Sequence, residues 1–265
     1  MPTFALAVNP VTLDAVTNLM SLLQMIHAAA DAGADLVLFP EAALTGLLNN
    51  DDPAHDLPLC QPIPGPATDT LAAAARARGV WVGVGLLERE DTRREDTRRE
   101  DTRLYDTAVL LAPTGEIALQ YRRISPGWHG RRADPAVYTH GTEIPVAQTP
   151  WGSAAFLLCG DLFDDDLIQR VRAAQPEWLL FPFARSYEDS DSRNPAHQAQ
   201  WDREDIFDYR ERVRMAGVTT LLVNYLGDSA LPDDGTFGGA WVISGTGEVL
   251  AQHPLGQPGL LMVTL

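Results

Sequence analysis

Residues 29–41 read AADAGADLVLFPE, and this stretch decides the fold because it joins the end of a helix to a buried strand. Apolar residues recur at helical spacing from Val16 to Ala30, and Gly33 is a typical helix-ending residue. Leu36–Phe39 is a short apolar run of the kind that forms a strand buried on both faces. The stretch therefore predicts a helix packed on a sheet, with the carboxylate of Glu41 at the carboxyl end of the strand.

The same alternation of strand and helix continues along the chain. Further strands are predicted at Phe4–Val8, Val80–Leu87, Leu104–Ala112, Ile117–Tyr121, Ala154–Leu158, Trp178–Phe181, Val218–Asn224, a hairpin over Ala240–Ala251, and Gly259–Leu265. Further helices are predicted at Leu71–Arg78, Asp164–Ala174 and Gln198–Ala216, and long loops at Asp51–Pro66 and Arg122–Gly141. This pattern predicts an α/β fold of layered sheets covered by helices, in a single domain spanning residues 1–265.

One internal repeat interrupts the pattern. Glu90–Arg94 and Glu95–Arg99 both read EDTRR, and a third copy begins at Glu100. Each full copy is net neutral and has no apolar residue to bury, so the repeat predicts a solvated hairpin loop at about 89–103 rather than an interaction tract.

Charge and composition exclude several classes of protein. The chain has 265 residues, with 36 acidic against 20 basic, for a net charge of −16. So acidic a surface argues against nucleic-acid or membrane-surface partners. All the basic residues are arginine, which excludes any mechanism that needs a lysine ammonium group. The absence of a signal-peptide pattern, of a long apolar run and of more than two cysteines predicts a cytoplasmic protein.

Three polar residues follow predicted strands and form a candidate constellation. Glu41, Arg123 and Cys159 each stand at or just beyond the carboxyl end of a strand, where α/β sheets bind their ligands. Taken singly, each has a common structural interpretation: a core cysteine, a solvated arginine, or an acid at a helix start. Together they place a thiol, a carboxylate and a cation within one predicted site.

The segments around these residues resemble those of the nitrilase superfamily of carbon–nitrogen hydrolases. The similar segments are Ala29–Glu41 with Leu44–Gly46, Leu104–Ala108, Pro113–Glu116, Tyr121–Arg123, Phe156–Asp161 (FLLCGD), Phe237–Gly239 and Gly245–Leu250. The resemblance implies a four-layer α-β-β-α sandwich that forms a homodimer or higher homo-oligomer. It also implies hydrolysis of a non-peptide C–N bond in a small amide, with a nitrile or a carbamoyl compound as the alternative substrates, without a metal or other cofactor.

The resemblance assigns roles residue by residue. Glu41 and Cys159 match the family's catalytic glutamate and cysteine, while Arg123 stands at the position of its catalytic lysine. Counting back from Thr139-His140-Gly141, the family's second glutamate falls on Asp134. The resemblance further assigns oxyanion or binding positions to Gly160, Arg212 and Asn224, with Met215 in place of an acidic partner of Arg212.

The chemistry of such a site follows from elementary acid–base considerations. A free cysteine has a pKa of about 8.5, so a base must take its proton, and Glu41 is the expected base. Arg123 and the Gly160 amide would stabilise the oxyanion of the tetrahedral intermediate. A guanidinium prefers to clamp a carboxylate with two hydrogen bonds, and the shorter Asp134 is expected to compensate for its bulk.

Two other interpretations remain open on sequence grounds. One is a catalytically weakened protein of the same fold that binds a small amide or carboxylate, or serves as an assembly subunit. The other is a metallophosphatase, suggested by Gly160–Asp164 (GDLFD), although none of the six histidines has a metal-site context. The sequence does not specify the substrate. Aromatic rings and cations near the predicted mouth of the site suggest an acidic or carboxylated amide, but ordinary solvent-facing loop residues explain them at least as well. These residues are Trp128, His129, Arg131, Arg132 and Arg185.

Overall fold

The computed structural model describes residues 1–47, 51–93, 100–187, 191–228 and 235–265. The strands are β1 (Thr3–Val8), β2 (Pro10–Val11), β3 (Leu36–Leu38), β4 (Trp81–Arg93), β5 (Glu100–Leu111), β6 (Ile117–Arg122), β7 (Val146–Thr149), β8 (Gly152–Phe156), β9 (Trp178–Phe183), β10 (Thr219–Asn224), β11 (Leu226–Gly227), β12 (Ala240–Ile243), β13 (Val249–His253) and β14 (Gly259–Thr264). The helices are α1 (Ala15–Asp31), α2 (Pro53–Asp56), α3 (Pro66–Arg78), α4 (Asp165–Ala174), α5 (Ala196–Gln200) and α6 (Ile206–Ala216).

Twelve of these strands form two six-stranded sheets of similar topology. The first has the order β14-β1-β3-β4-β5-β6, and the second β13-β12-β10-β9-β8-β7. In each sheet a parallel trio is flanked by antiparallel strands: β1-β3-β4 in the first sheet and β10-β9-β8 in the second. The parallel trios direct several strand ends of each sheet to one edge of the molecule, which is where ligand sites form in such sheets.

Strand β1 shows how the layers are separated. Its apolar residues alternate between two cores, as the twofold side-chain period of a strand requires. Phe4, Leu6 and Val8 belong to the core between the two sheets, with Phe156 of β8, whereas Ala5 and Ala7 pack with α1 and α3. Helices α4 and α6 cover the outer face of the second sheet with Ile168, Val171 and Val213. The predicted four-layer α-β-β-α sandwich is therefore confirmed.

The predicted loop at about 89–103 has different bounds in the structure. Strand β4 continues to Arg93, and β5 begins at Glu100, so most of the first and third EDTRR copies lie in the antiparallel hairpin. The register sets Glu90 directly opposite Arg103, and opposite charges in that position stabilise a strand pair. Residues 94–99 lie outside the described residues.

The predicted helix over Gln198–Ala216 is confirmed, with one irregularity. A π-helical turn at Trp201–Asp205 joins α5 to α6, and the backbone stays helical through it. The fully buried Trp201 of this turn stacks on Trp241 with ring centroids 4.4 Å apart, and this contact fixes the position of the turn on the second sheet. Within the described residues, no helix is long and apolar enough to cross a membrane.

Candidate active site

The structure brings Glu41, Arg123 and Cys159 together at the strand ends. Glu41 follows β3 and Arg123 follows β6, both in the first sheet, whereas Cys159 follows β8 of the second sheet. Glu41 and Arg123 are buried, with the Glu41 side chain fully inaccessible, and Cys159 is partly exposed. The site therefore lies between the two sheets at their shared edge, with the thiol as its accessible group.

Gly85 of β4 allows the Glu41 segment to approach the sheet. Its amide donates to the Pro40 carbonyl oxygen and its own carbonyl accepts from the Ala43 amide, both at 3.0 Å. A Cβ atom at this position would lie 2.5 Å from Glu41 Cα, which real side chains do not tolerate. Ala42 has a φ of 46°, a left-handed conformation that is costly for a residue with a side chain. The backbone around Glu41 is thus held in a strained turn against β4.

The Arg123 guanidinium is the centre of the buried polar contacts. Its Nη1 donates to Glu41 Oε1 at 2.9 Å and makes a longer contact to Asp106 Oδ2 at 3.5 Å. Its Nε donates to Ser125 Oγ at 3.1 Å, and its Nη2 donates to the Pro126 carbonyl oxygen at 3.5 Å. The contact with Glu41 is a single hydrogen bond through one nitrogen, not the two-bond clamp that a guanidinium can make.

Asp106 is the site residue that the sequence analysis did not select. It lies on β5 beside the end of β6, where its carbonyl oxygen accepts from the Arg123 amide at 2.8 Å. Its side chain is fully buried and lies within hydrogen-bonding reach of the Glu41 carboxyl. Asp106 shares the core-facing side of β5 with Ala108 and Leu110, so alternation along Leu104–Ala112 could have identified it.

The role predicted for Asp134 stays a prediction, because the side-chain contact that the structure shows for this residue is local. Asp134 lies exposed in the loop after β6, and its carboxylate accepts from the Ala136 amide at 2.9 Å. This is a local turn contact that aspartate makes readily, and it commits the side chain to its own loop. The second carboxylate at the guanidinium is therefore Asp106, supplied by a strand and not by the loop.

Cys159 occupies a strained turn. It opens a short 3₁₀ turn at Cys159–Phe163 with a φ of 43°, in the left-handed region. Non-glycine residues in that region are uncommon and often mark functional positions. The thiol donates to the Ala184 carbonyl oxygen beyond β9 at 3.6 Å. Gly160 packs against the cation, since a Cβ there would lie 2.5 Å from Arg123 Nη2.

Asp161 ties the thiol turn to the Arg123 segment. Its fully buried carboxylate accepts from the Tyr121 hydroxyl at 2.6 Å and from the Leu158 amide at 3.0 Å. It also accepts from the amides of Ser125 at 2.7 Å and Ile124 at 3.2 Å. With four donors, the charge of Asp161 is compensated without a cation. The Asp161 carboxylate thus joins segments that follow strands of both sheets, and we refer to it as the Asp161 anchor.

Arg212 and Asn224 make hydrogen bonds to backbone groups. Arg212 Nε donates to the Leu162 carbonyl oxygen at 2.7 Å, at the end of the Cys159 turn. Asn224 binds both backbone groups of Arg185, accepting from its amide at 3.1 Å and donating to its carbonyl oxygen at 3.0 Å. Both residues therefore support backbone near the Cys159 turn, and their predicted binding roles stay predictions.

A cavity opens next to this second-sheet edge. It has a volume of about 470 Å³ and is lined in part by Arg185, Tyr187 and His197. Arg185 Nη2 donates to Asp205 Oδ1 at 2.6 Å, which neutralises the cation. Trp128, expected near the mouth, is instead buried against Tyr138.

Burial and neighbouring charges shift the pKa values of several titratable groups in and near the site. Burial raises the pKa of Glu41 well above its ordinary value, and the Asp106 and Cys159 charges raise it further against the opposing effect of Arg123. Burial likewise raises the pKa of Asp106. Burial and the nearby Asp56 raise the pKa of Cys60, the second cysteine, to about 12. Cys60 is therefore an unreactive thiol at neutral pH.

Metal chemistry gains no support from the geometry. Among the residues that the structure describes, no three histidine, cysteine, aspartate or glutamate side chains are grouped as metal ligands require. The Gly160–Asp164 segment, which resembled a metallophosphatase motif, instead forms most of the turn anchored by Asp161.

Comparison with known proteins agrees with this geometry. The chain is 26% identical over 165 residues to an aliphatic nitrilase of Sinorhizobium fredii (57% of this chain, 49% of that protein). It is 30% identical over 151 residues to a formamidase of Bacillus cereus (56% of this chain, 41% of that protein). The chain thus spans about half the length or less of these curated relatives.

A solved structure and a family model extend the comparison to the whole chain. A variant of the amidase from Nesterenkonia sp. AN1, with acrylamide added at its active-site cysteine, superposes with a TM-score of 0.77 at 21% identity, covering 100% of this chain and 93% of that one. The model of the carbon-nitrogen hydrolase family matches residues 5–265. With the two-sheet fold and the cysteine, glutamate and arginine at its strand ends, the chain belongs to the carbon-nitrogen hydrolase family.

Proposed function

We propose that this protein hydrolyses the C–N bond of a small amide through a thioester formed on Cys159. Cys159 is the nucleophile, Glu41 the general base and later the general acid, and Arg123 the cation that stabilises negative charge on oxygen. The relatives are described as a nitrilase, a formamidase and an amidase, which supports an amide or a nitrile as the substrate class.

One observation carries the proposal: an accessible thiol lies beside a buried carboxyl and a buried guanidinium. A charge on Cys159 raises the pKa values of both Glu41 and Arg123, which requires the three groups to lie near one another. The strained φ of 43° at Cys159 presents the thiol at the start of a turn, and Asp161 anchors that turn to the Arg123 segment. A structural cysteine needs none of these features.

In the first half of the proposed reaction, Glu41 takes the thiol proton as Cys159 Sγ attacks the amide carbon. A C–S bond forms, and the carbonyl π electrons move to the oxygen. The Gly160 amide and Arg123 Nη2 would donate to that oxyanion, because the hydrogen bond of Nη2 to the Pro126 carbonyl oxygen is long, at 3.5 Å, and Nη2 packs against Gly160. Collapse of the intermediate breaks the C–N bond, and Glu41 returns the proton to the departing nitrogen.

In the second half, water attacks the thioester carbon. Glu41 removes a proton from that water, the oxyanion again lies between Gly160 and Arg123, and collapse breaks the C–S bond. The carboxylic acid leaves, and the proton held by Glu41 returns to the Cys159 sulfur. The protein ends the cycle unchanged, and the products are an acid and an amine or ammonia.

A second candidate function is supported by the ion pair itself. Arg123 Nη1 lies 2.9 Å from Glu41 Oε1, and a cation in that position lowers the basicity of the carboxylate. A protein with its base restrained in this way would bind a small amide or carboxylate without turning it over.

Ammonia release from a panel of small amides and nitriles distinguishes the two functions. Wild type and Cys60→Ala are expected to release ammonia, and Cys159→Ala is not. In parallel, iodoacetamide labelling followed by mass spectrometry compares the rate at Cys159 with that of free cysteine. A folded wild type that releases no ammonia, with Cys159 no more reactive than free cysteine, would refute hydrolysis and support the binding role.

A further inference from the structure

Two fully buried carboxyl groups share a single cation. Arg123 Nη1 contacts Glu41 Oε1 at 2.9 Å and Asp106 Oδ2 at 3.5 Å. The other two oxygens, Glu41 Oε2 and Asp106 Oδ1, accept no hydrogen bond from any donor in the described residues. A buried acceptor without a donor is costly, and this pair leaves two of them in the same small space.

The charges around the pair do not balance it. The charged groups that act on it are Arg123 from the end of β6 and Cys159 and Asp161 from the turn after β8. Asp161 adds negative charge, and for His140, in the loop before β7, burial and the neighbouring His129 lower the pKa, which disfavours a second cation there. Two ionised carboxylates would therefore face one guanidinium while both are fully buried, which is unfavourable.

We propose that Glu41 in the resting protein donates a hydrogen bond to Asp106, so that Asp106 holds a proton on Glu41 and sets the pH above which Glu41 can act as a base. One proton removes the excess charge and supplies a donor for the pair. Asp106 is thus a positioning residue, since it acts on the reaction only through Glu41.

This inference rests on the proposed function and explains why a second carboxyl group lies beside Glu41. Arg123 weakens Glu41 as a base, whereas the Asp106 charge strengthens it, which brings its proton affinity nearer to that of a thiol. In the reaction, ionised Glu41 takes the thiol proton, and the resulting Glu41 acid is stabilised by its bond to Asp106 until it protonates the departing nitrogen.

The test is the pH dependence of Cys159 labelling by iodoacetamide, with kcat/KM on an amide measured alongside. In Asp106→Asn the neighbouring negative charge is lost, so Glu41 ionises at lower pH. The acid limb of both profiles is expected to move down by about one pH unit or more, and the plateau of kcat/KM to fall because Glu41 is a weaker base. A merely structural Asp106 would lower the plateau without moving the limb.

Glu88→Gln is the matched control. Glu88 is also a buried carboxylate of the β4–β5 hairpin, but it binds Arg122 and Thr107 on the other face of the sheet. The same carboxylate-to-amide change there is expected to leave the acid limb in place. An equal shift in Glu88→Gln would overturn the proposal.

Infrared spectroscopy tests the proton directly, even if Asp106→Asn does not fold. Wild type at neutral pH is expected to show the C=O band of a protonated carboxylic acid, and Glu41→Gln to lose it because Asp106 then pairs with Arg123 as an ion. A wild type whose spectrum lacks that band, or a band unaffected by Glu41→Gln, would refute the shared proton. Absence of turnover together with a shifted labelling limb would refute hydrolysis and retain the pair, whereas turnover with an unshifted limb would do the opposite.

Discussion

Removal of the Tyr121 hydroxyl tests the anchor behind the site. Tyr121 donates to the Asp161 carboxylate at 2.6 Å, and both side chains are buried. Burial and the Asp161 charge raise the pKa of Tyr121 well above its ordinary value, so the phenol remains a donor throughout the accessible pH range. Tyr121→Phe keeps the ring and deletes this one donor.

The expected cost follows from the type of bond. A hydrogen bond to a charged acceptor contributes about 1.5–3 kcal/mol, and Asp161 Oδ2 keeps the Leu158 amide at 3.0 Å as a second donor. We expect the free energy of unfolding to fall by about 2 kcal/mol, measured by urea denaturation at unchanged slope. Reactivity of Cys159 is expected to fall less than tenfold, because three amide donors still hold Asp161 in place.

Tyr105→Phe is the matched control for this prediction. Its hydroxyl also donates to a carboxylate, Glu90 Oε2 at 3.2 Å, but the Glu90 side chain is about one-third exposed. Water can replace that donor, so the loss is expected to stay below about 1 kcal/mol. Equal losses in Tyr121→Phe and Tyr105→Phe, or a loss under about 0.5 kcal/mol in Tyr121→Phe, would refute the role assigned to the Asp161 anchor.

Three further predictions concern the site. Gly85→Ala is expected to abolish most activity by displacing Glu41, since its Cβ would lie 2.5 Å from Glu41 Cα. In the control Gly83→Ala the new Cβ meets the movable end of the Leu38 side chain, so this variant is expected to retain more activity. Equal kcat/KM values for the two variants would contradict the prediction. Iodoacetamide below pH 9 is expected to label Cys159 and leave Cys60, whose pKa is raised to about 12, and mass spectrometry showing equal labelling would refute the assignment. The effects of Arg123→Lys and Asp134→Glu on kcat/KM are expected to add, because Asp134 is exposed and bound to Ala136; a coupling beyond about 0.5 kcal/mol would place Asp134 at the site after all.

The strand ends before Glu41, Arg123 and Cys159 were predictable from the sequence, whereas β4 runs past its predicted end at Leu87 to Arg93. The end of an apolar run indicates where a buried strand ends. Glu41, Arg123 and Cys159 could therefore be selected before any contact was known. Asp106 was missed because a polar residue inside a strand was not tested for the face that it occupies. Its neighbours Ala108 and Leu110 place it on the core side.

Loop geometry and helix irregularity were not predictable in the same way. Asp134 was selected by counting along a loop, but a count does not determine which side chains turn inward. In the structure the Asp134 carboxylate accepts a hydrogen bond from the Ala136 amide of its own loop. The π-helical turn within Gln198–Ala216 carries Trp201, which stacks on Trp241, a contact between residues distant in sequence. Periodicity over one segment contains no information about such a partner.

The two-sheet construction has a consequence for how variation is tolerated. Glu41 and Arg123 are carried by one sheet and Cys159 by the other, so the spacing between them is set by the thickness of the apolar layer that includes Phe4, Leu6 and Phe156. Interiors are close-packed and transmit small changes in volume as shifts of whole elements. A substitution deep in that layer changes reaction geometry as well as folding free energy. Natural selection for turnover therefore also acts on side chains that do not contact the substrate. In a mutational scan of this layer, we expect variants to lose activity before they lose the folded state.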